Sequence, residues 1–522
     1  MPIVPTPGHL LNMADAVLGP PLARGQGSDP AILCDDEIVT YAELDERANR
    51  AGNAFRSLGV DAGDRVLMMV VDQPVFFYAY FGLMKIGAVP CALNLRLSPA
   101  DLAYTIADSG AAILLTDVDF LSVCETASAA LDRLPQLILT NGEVRGRDSL
   151  PGLMMKASSK LESILRAPDA PGFWMYSSGT TGKPKGVVHA QRTVFAATDV
   201  LGKLMDVAPG DRVFCSSKLF FAFSLGHLMF GTLQLGATAV LYPGWPDATA
   251  VADVIARHRP TIVLSVPTFY RNMLRDGVAS QSAFKDVRYY MSAGEKLPRS
   301  LFDRWMDATG RPVLDGIGAT ETCFLSISNC PDKMNPGTCG VPTPGTEVKL
   351  IGEDDAIVTE PLQPGVLWVK LASVANGYWN LDALTEAAFR DGWYCTNDMF
   401  TFDADGWYEY QGRADDMLKI SGQWVSPAEI EEHVLKHPQV AEAAVVGIAN
   451  EDGLVRLALF MVAPQVSDRS GFEKELQDSL VASLSIYKCP RRVYYVESMP
   501  LTATGKLQRY ALRQLALNED RV

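Results

Sequence analysis

A glycine-rich segment at residues 176–186 is the strongest local constraint on the fold of this chain. Three glycines, four serine or threonine hydroxyls and two lysines fall within these eleven residues. Glycines let successive backbone N–H groups converge on an anion, and hydroxyls and lysines complete such a phosphate-binding loop. The apolar run at residues 173–176 predicts a buried strand before the loop, and a helical pattern follows from about Arg192. The segment is therefore predicted to be a phosphate site between a strand and a helix.

Two other interpretations of this segment are weaker. The standard nucleotide P-loop has four residues between its first glycine and its Gly-Lys-Ser/Thr, whereas only two separate Gly179 from Gly182 here, and Pro184 occupies the Ser/Thr place. A flexible surface linker is the other interpretation, because runs of Gly, Ser and Thr often are linkers. The two lysines on either side of Pro184 and the apolar strand beside the loop favour a phosphate site.

Composition excludes several classes of function. The chain has 522 residues, 48% of them hydrophobic, and a formal net charge of −15. This charge argues against nonspecific binding to nucleic acid or anionic membranes. The nine cysteines form no CxxC pair, which predicts neither a zinc site nor a disulfide framework and fits a reducing cytoplasm. Residues 1–7 lack the basic and apolar regions of a signal peptide. The apolar region 66–95 is interrupted by charged residues and prolines, so no membrane span is expected.

Strand and helix patterns alternate along most of the chain. Thr40 and Glu43 form a predicted capping box for a helix reaching about Leu58, and Ser98 is predicted to cap another helix that ends at Gly110. Such βα repetition predicts parallel sheet covered by helices on both faces. From about residue 337 the pattern changes to short alternating strands, which predict a smaller β-barrel-like subdomain. A compact α+β unit is predicted beyond Asp415.

The glycine-rich segment resembles the signature loop of the adenylate-forming superfamily, which includes acyl- and aryl-CoA synthetases, adenylation domains and luciferases. Residues 218–223 and 315–321 are most similar to benzoate-CoA ligases. The resemblance implies an α/β fold, with a large N-terminal domain of parallel βα layers over residues 1–414 and a mobile C-terminal α+β domain over residues 415–522. It also implies ATP, CoA and Mg²⁺ as cofactors and a small carboxylate as the acyl substrate.

The resemblance assigns roles to residues of the N-terminal domain. Thr320 would meet a phosphate and Glu321 would hold Mg²⁺, which prefers hard oxygen ligands shared with phosphates. Asp398 and Arg413 would bind the ribose. The other implied ATP or AMP contacts are Ser177, Ser178, Gly179, Thr180, Thr181, Gly182, Lys183, Lys185, Gly294, Glu295, Gly316 and Ile317.

The resemblance implies that the C-terminal domain takes part in two half-reactions, the formation of an acyl-AMP and its conversion to a thioester. Asp415 matches the family's hinge residue, Lys506 the lysine of adenylation, and Lys419 a residue of the thioester stage. Ser421, Gly422 and Trp424 would lie along the CoA path. The resemblance leaves the oligomeric state open, with a homodimer as one alternative.

The acyl pocket implied by motif position consists of Ala222, Phe223, Gly318, Phe324 and Leu325. In benzoate ligases a histidine stands at the position of Phe324 and often a tyrosine at that of Phe223. Both differences remove polar groups, and a buried substrate hydroxyl without a partner costs about 1–3 kcal/mol. We therefore expect an unsubstituted aromatic or alicyclic monocarboxylate. His227 has two interpretations, a gate of this pocket or a structural residue, and His189 is interpreted as structural.

The reaction implied is conversion of a carboxylate, ATP and CoA to an acyl-CoA, AMP and pyrophosphate through an acyl-AMP. One alternative is a CoA ligase for another small carboxylate, and a second is an adenylation enzyme that loads a carrier-protein thiol. A nonenzymatic nucleotide-binding or acyl-binding regulator is a third, although Lys506 and Glu321 are both present. No motif indicates a nucleophilic triad, so a hydrolase is disfavoured.

Overall fold

The computed structural model describes residues 9–178, 183–420, 423–449, 455–501 and 507–519. The chain divides into two compact units. The first unit consists of Met1–Val348, Val369–Cys395 and Gly406–Tyr408, and the second of Lys349–Trp368, Thr396–Asp405 and Glu409–Val522. The domain boundary proposed at Asp415 stays a prediction.

A seven-stranded sheet in the first unit carries the glycine-rich segment. Its five consecutive strands from Pro171–Ser178 to the far edge are parallel, as the βα pattern predicts. In spatial order the strands are Gly377–Tyr378, Pro184–Ala190, Pro171–Ser178, Val89–Ala92, Arg65–Met69, Ile113–Thr116 and Gln136–Leu139.

The predicted strand–loop–helix arrangement around the glycine-rich segment is wrong. Pro171–Ser178 pairs antiparallel with Pro184–Ala190, and the following helix is a short 3₁₀ segment at Gln191–Ala196. The apolar residues Val187 and Val188 explain the difference, because β-branched side chains favour strands and both are buried in the sheet. The segment therefore connects two antiparallel strands.

A nine-stranded sheet forms the other layer of the first unit. Its six consecutive strands from Val313–Gly318 to Pro30–Cys34 are parallel, and the strands added at both edges are antiparallel. In spatial order the strands are Val341–Pro342, Leu325–Ser328, Val313–Gly318, Tyr289–Ser292, Ile262–Ser265, Arg212–Cys215, Thr238–Leu241, Pro30–Cys34 and Glu37–Thr40.

Helices of the first unit begin where their sequences predict. Thr40 and Glu43 form the reciprocal capping box, and the Ser98 hydroxyl accepts a hydrogen bond from the Asp101 N–H. The α-helices are Met13–Ala23, Tyr41–Ser57, Pro74–Lys85, Pro99–Ser109, Leu121–Ser128, Leu150–Lys156, Ala222–Ser224, Thr232–Leu235, Ala248–His258, Pro267–Arg275, Ser282–Asp286, Arg299–Thr309 and Asp382–Ala388. Val118–Phe120 and Val278–Ser280 are 3₁₀ turns, and Asp199–Leu204 and Leu225–Gly231 are π-helical.

The second unit contains a small sheet with apolar residues on both faces. Strand Glu442–Ala449 pairs antiparallel with Val455–Val462, which pairs in parallel with Arg492–Tyr495. Because side chains alternate along a strand, Leu459 packs in one apolar cluster and Phe460 in another. The helices are Pro427–Val434, Arg469–Ser483 and Arg509–Glu519, with a 3₁₀ turn at Ile486–Lys488 and a short hairpin formed by Leu418–Ile420 and Gln423–Val425.

The remaining strands are Glu347–Ile351, Gly365–Lys370, Phe389–Arg390, Trp393–Phe402 and Tyr408–Arg413. No helix within the described ranges combines the length and the apolar character needed to cross a bilayer.

Candidate active site

Two segments with predicted ATP or AMP contacts lie side by side, at the carboxyl ends of neighbouring strands of the nine-stranded sheet. Strand Tyr289–Ser292 leads directly into Gly294 and Glu295, and it pairs in parallel with strand Val313–Gly318. Ligands of α/β proteins bind at the carboxyl ends of such strands. The residues that this pairing brings together are Gly294, Glu295, Gly316 and Ile317.

The side chain of Glu295 already has a structural partner. Its Oε2 accepts hydrogen bonds from the backbone N–H of Thr268 at 3.2 Å and from the Thr268 hydroxyl at 2.8 Å. Thr268 lies in the first turn of helix Pro267–Arg275, where N–H groups lack partners within the helix. The Glu295 carboxylate therefore caps this helix, which the sequence analysis did not foresee.

Glu321, the predicted Mg²⁺ ligand, is buried beside a tyrosine that the sequence analysis missed. The Tyr378 hydroxyl donates a hydrogen bond to Glu321 Oε1 at 2.9 Å. Lys185 Nζ lies 4.6 Å from the centroid of the same tyrosine ring, within cation–π range. Tyr378 thus connects the end of the glycine-rich segment to the predicted metal ligand. Nothing local to Tyr378 signals this, because 57 residues separate it from Glu321.

Backbone contacts hold the segment that contains Thr320 and Glu321. The Thr320 carbonyl accepts a hydrogen bond from His189 Nε2 at 2.8 Å, and the Glu321 carbonyl accepts one from the Ala375 N–H at 2.9 Å. His189 is fully buried and stacks on the Phe173 ring at 4.6 Å. Burial lowers the pKa of His189 to about 4, so the ring is neutral at pH 7. This arrangement agrees with the predicted structural role of His189.

The glycine-rich segment is described at both of its ends. Ser177 Oγ is buried and has no hydrogen-bond partner among the described residues. Lys183 is exposed, with Nζ 5.0 Å from the centroid of the Tyr104 ring. The side chain of Ser178 and residues Gly179, Thr180, Thr181 and Gly182 lie outside the described part of the chain.

The predicted acyl-pocket residues lie on one helical run and on one antiparallel strand pair with its connecting turn. Ala222 and Phe223 begin a continuous helical run to Leu235, and Gly318 pairs with Leu325 across an antiparallel strand pair. A Cβ on Gly318 would lie 2.7 Å from the Phe324 carbonyl oxygen. Glycine is therefore needed for the backbone that carries Phe324 to approach this closely. Phe324 and Leu325 are buried, whereas Phe223 and Ala222 are partly exposed.

His227 lies between the two phenylalanines of this predicted pocket. Its ring centroid is 5.3 Å from that of Phe223 and 5.4 Å from that of Phe324, both in edge-on geometry. The ring is fully buried, on a π-helical segment of the kind often found at functional sites. The ring thus lies against two residues of the predicted pocket. Both interpretations of His227, a gate and a structural residue, stay predictions, as does the expected preference for an unsubstituted acid.

The predicted ribose-binding residues are grouped within the second unit. Arg413 Nη1 lies 3.1 Å from Asp398 Oδ1 and donates to the Thr396 carbonyl at 2.9 Å. Arg413 Nη2 is 3.8 Å from Asp415 Oδ2, so the predicted hinge residue belongs to the same charged group. Lys506, Ser421 and Gly422 lie outside the described residues, as do the side chains of Lys419 and Trp424.

Comparison with known proteins identifies the family. Residues 22–379 match the family model of the AMP-binding enzymes, and residues 429–506 match that of the AMP-binding enzyme C-terminal domain. The chain belongs to the AMP-binding enzyme family. The predicted membership of the adenylate-forming superfamily is therefore confirmed.

Individual relatives cover almost all of this AMP-binding enzyme. It is 46% identical over 515 residues to a 3-hydroxybenzoate–CoA/4-hydroxybenzoate–CoA ligase of Thauera aromatica, covering 98% of each chain. The solved anthranilate CoA ligase AuaEII in complex with anthranoyl-AMP has a TM-score of 0.91 and 32% identity, with 98% of each chain covered. A benzoate CoA ligase from Burkholderia xenovorans LB400 has a TM-score of 0.87 and 34% identity, covering 97% of this chain and 100% of that one. The predicted α/β fold and enzyme class, an AMP-forming acid–thiol ligase, are confirmed.

The predicted use of ATP, CoA and Mg²⁺ agrees with the family, and the residues around Glu321 fit the metal. No three His, Cys, Asp or Glu side chains of the described residues are grouped to hold an ion on their own. Mg²⁺ is usually bound by one or two carboxylates together with substrate phosphates and water. A carboxylate has about four acceptor sites, so Glu321 can bind a cation while it accepts from Tyr378. Glu321 would hold the ion, which would neutralise phosphate charge.

Proposed function

We propose that this AMP-binding enzyme is a CoA ligase for a benzoate-like aromatic monocarboxylate. One observation carries the proposal: Lys185, Tyr378 and Glu321 are brought together, and Glu321 is close in sequence to the aromatic residue Phe324 of the predicted pocket. The relatives support it, since a hydroxybenzoate ligase, an anthranilate ligase and a benzoate ligase all match nearly the whole chain. Their substrates share a benzene ring that carries a carboxylate.

The reaction proceeds in two displacements. A carboxylate oxygen attacks the α-phosphorus of ATP, the bond to the β-phosphate oxygen breaks, and pyrophosphate leaves. The sulfur of CoA then attacks the acyl carbon, the bond to the AMP oxygen breaks, and the thiol proton passes to solvent. Splitting one difficult step into two is the advantage of such an intermediate. No side-chain nucleophile is needed.

The side chains of the site contribute position and charge. Lys185 supplies positive charge at the end of the glycine-rich segment, where the triphosphate would lie. Tyr378 orients the Glu321 carboxylate, and the backbone contacts of Thr320 and Glu321 hold their loop. Charges already in position stabilise a transition state without reorganisation during the reaction. The aromatic side chains would orient the acid, which turns a bimolecular step into a nearly unimolecular one.

The test is formation of acyl-CoA by the purified full-length chain. A panel of benzoate, its hydroxy and amino derivatives, cyclohexanecarboxylate and acetate would be assayed with and without CoA, and products separated by chromatography. We expect acyl-CoA, AMP and pyrophosphate in equal amounts with at least one benzoate. Acyl-AMP without acyl-CoA would instead support an enzyme that loads a carrier protein. Absence of any acid-dependent product would contradict a ligase.

The proposal includes a cytoplasmic location, supported by the nine free cysteines, which suit a reducing compartment. Cell fractionation tests it. A homodimer remains a proposed alternative. Light scattering during size-exclusion chromatography would measure the molar mass, and a dimer should give about twice 56.7 kDa.

A further inference from the structure

Among the described residues, one nitrogen of the His227 ring has a hydrogen-bond partner and the other has none. Nδ1 lies 3.0 Å from the Phe223 carbonyl oxygen. Nε2 is buried and has no hydrogen-bond partner among the described residues. Buried polar atoms are nearly always hydrogen-bonded, so an exception calls for an explanation. A ligand that enters the predicted pocket would supply the missing partner.

The hydrogen bond at Nδ1 determines what Nε2 can do. A carbonyl oxygen only accepts, so Nδ1 must carry the proton and donate it. Burial lowers the pKa of His227 to about 4, and the ring is therefore neutral at pH 7. In a neutral imidazole with its proton on Nδ1, the other nitrogen is an acceptor. Nε2 thus offers a lone pair and requires a donor.

The surroundings of His227 restrict which donor can reach it. The edge-on contacts place the ring between Phe223 and Phe324, two residues of the predicted acyl pocket. A Cβ on Gly226 would lie 2.9 Å from Phe324 Cε1, so glycine allows the Phe324 ring to rest directly on the helix. The ring of a bound benzoate would meet the same apolar surface. Its substituents are the groups that could extend to Nε2.

We propose that His227 accepts a hydrogen bond from a hydroxyl or amino group on the aromatic ring and thereby selects a substituted benzoate over the unsubstituted acid. This inference rests on the proposed function, because it names the substrate class of the same site. It reverses the preference expected from Phe223 and Phe324 alone. The substituent must be a donor, so a methyl or fluoro group of similar size would not replace it.

The first experiment uses the unaltered enzyme and needs no variant. The kcat/KM values are measured for hydroxy-, amino-, methyl- and fluorobenzoates, each at the 2-, 3- and 4-positions, beside benzoate. At one position we expect the hydroxy or amino acid to exceed the methyl and fluoro acids by at least about tenfold, since a site built for a hydrogen bond rejects analogues without it. Equal values for hydroxy and methyl acids at all three positions would overturn the inference.

The second experiment removes the acceptor. His227→Leu should lower the kcat/KM ratio of the preferred hydroxybenzoate to benzoate at least about tenfold. His227→Gln should restore part of the ratio, because its amide oxygen can accept. Thr232→Val is the matched control: the Thr232 hydroxyl donates to the His227 carbonyl at 2.9 Å, so its loss perturbs the same helix without removing the ring.

The outcomes separate this inference from the proposed function. An unchanged substrate ratio in a folded, active His227→Leu enzyme would show that His227 is structural while leaving the ligase activity established. If His227→Leu fails to fold, the substrate series measured on the unaltered enzyme decides whether the inference holds. No acyl-CoA from any benzoate would instead contradict the proposed function.

Discussion

The hydroxyl of Tyr378 donates a hydrogen bond to Glu321 Oε1 at 2.9 Å, within the first unit and across 57 residues of sequence. Both side chains are buried. The contact fixes one oxygen of the carboxylate, and the tyrosine ring faces Lys185 Nζ. A cation bound by Glu321 would therefore meet a carboxylate whose orientation is set before the ligand arrives.

Replacing Tyr378 by phenylalanine should weaken the metal site without removing the carboxylate. Hydrogen bonds to charged groups contribute about 1.5–3 kcal/mol, so kcat/KM at limiting Mg²⁺ should fall roughly 10- to 100-fold, with partial recovery at high Mg²⁺. A Mg²⁺ titration of initial rate measures this. The control is Tyr290→Phe, since the Tyr290 hydroxyl is also buried and donates to a backbone carbonyl, that of Phe284. An unchanged Mg²⁺ dependence in Tyr378→Phe would argue against the role of this contact.

Glu321→Gln should reduce catalysis more strongly. The substitution keeps the shape of the side chain and its acceptor for Tyr378 but removes the negative charge that the metal requires. Loss of one such electrostatic contact in the transition state costs about 3–4 kcal/mol, or roughly 10²–10³ in kcat. The measurement is kcat at saturating Mg²⁺, ATP and acid. A rate within a few-fold of the wild-type value would reject Glu321 as the metal ligand.

The lysines of the C-terminal domain should act in different half-reactions. Lys506→Ala should nearly abolish acyl-AMP formation yet leave thioester formation from supplied acyl-AMP largely intact, and Lys419→Ala should do the reverse. Asp415→Pro, which restricts φ at the predicted hinge, should mainly impair the second half. Single-turnover kinetics of each half-reaction measures these effects. The exposed Lys436 provides a control, Lys436→Ala. Equal losses in both halves for both lysines would indicate a single fixed active site.

Acid should destabilise the enzyme through His189. Its pKa is about 4 in the folded state because of burial, against about 6.5 for an unfolded histidine. Between these values the unfolded chain binds the additional proton, so the free energy of unfolding falls as pH falls from about 6.5 to about 4. The free energy of unfolding then changes by at most about 1.4 kcal/mol per pH unit, and up to about 3 kcal/mol of it is lost between pH 6.5 and pH 4.

Thermal unfolding from pH 7.5 to pH 4.5 tests this contribution. The fall in Tm should be smaller in His189→Asn than in wild type, although the variant will start from a lower Tm because it loses the contact with the Thr320 carbonyl. The exposed His9 offers the control His9→Asn, whose profile should follow wild type. A His189→Asn profile parallel to that of wild type would place the acid sensitivity elsewhere.

Much of the architecture could be predicted from local sequence because its causes are local. Thr40 and Glu43 cap a helix through groups three residues apart, and Ser98 and Gly110 begin and end another. The βα alternation depends on side-chain periodicity, which a window of roughly 11–18 residues displays. The glycine-rich segment was recognisable for the same reason. The strand after it, Pro184–Ala190, was not predicted, because Val187 and Val188 are strand residues through their partners in the sheet.

Within the candidate site, the residue types follow from the sequence, whereas the groups that they face depend on how distant segments pack. Glu321 was visible from its motif, but its hydrogen bond to Tyr378 depends on how the seven-stranded sheet places Gly377–Tyr378 beside Pro184–Ala190. The sequence likewise shows that residue 227 is a histidine. Its burial between Phe223 and Phe324, its neutral state and the lack of a partner for Nε2 among the described residues depend on the strand pair that carries Phe324 against the helix. Burial and hydrogen-bond satisfaction depend on contacts between distant segments, and these exist only once the chain has folded.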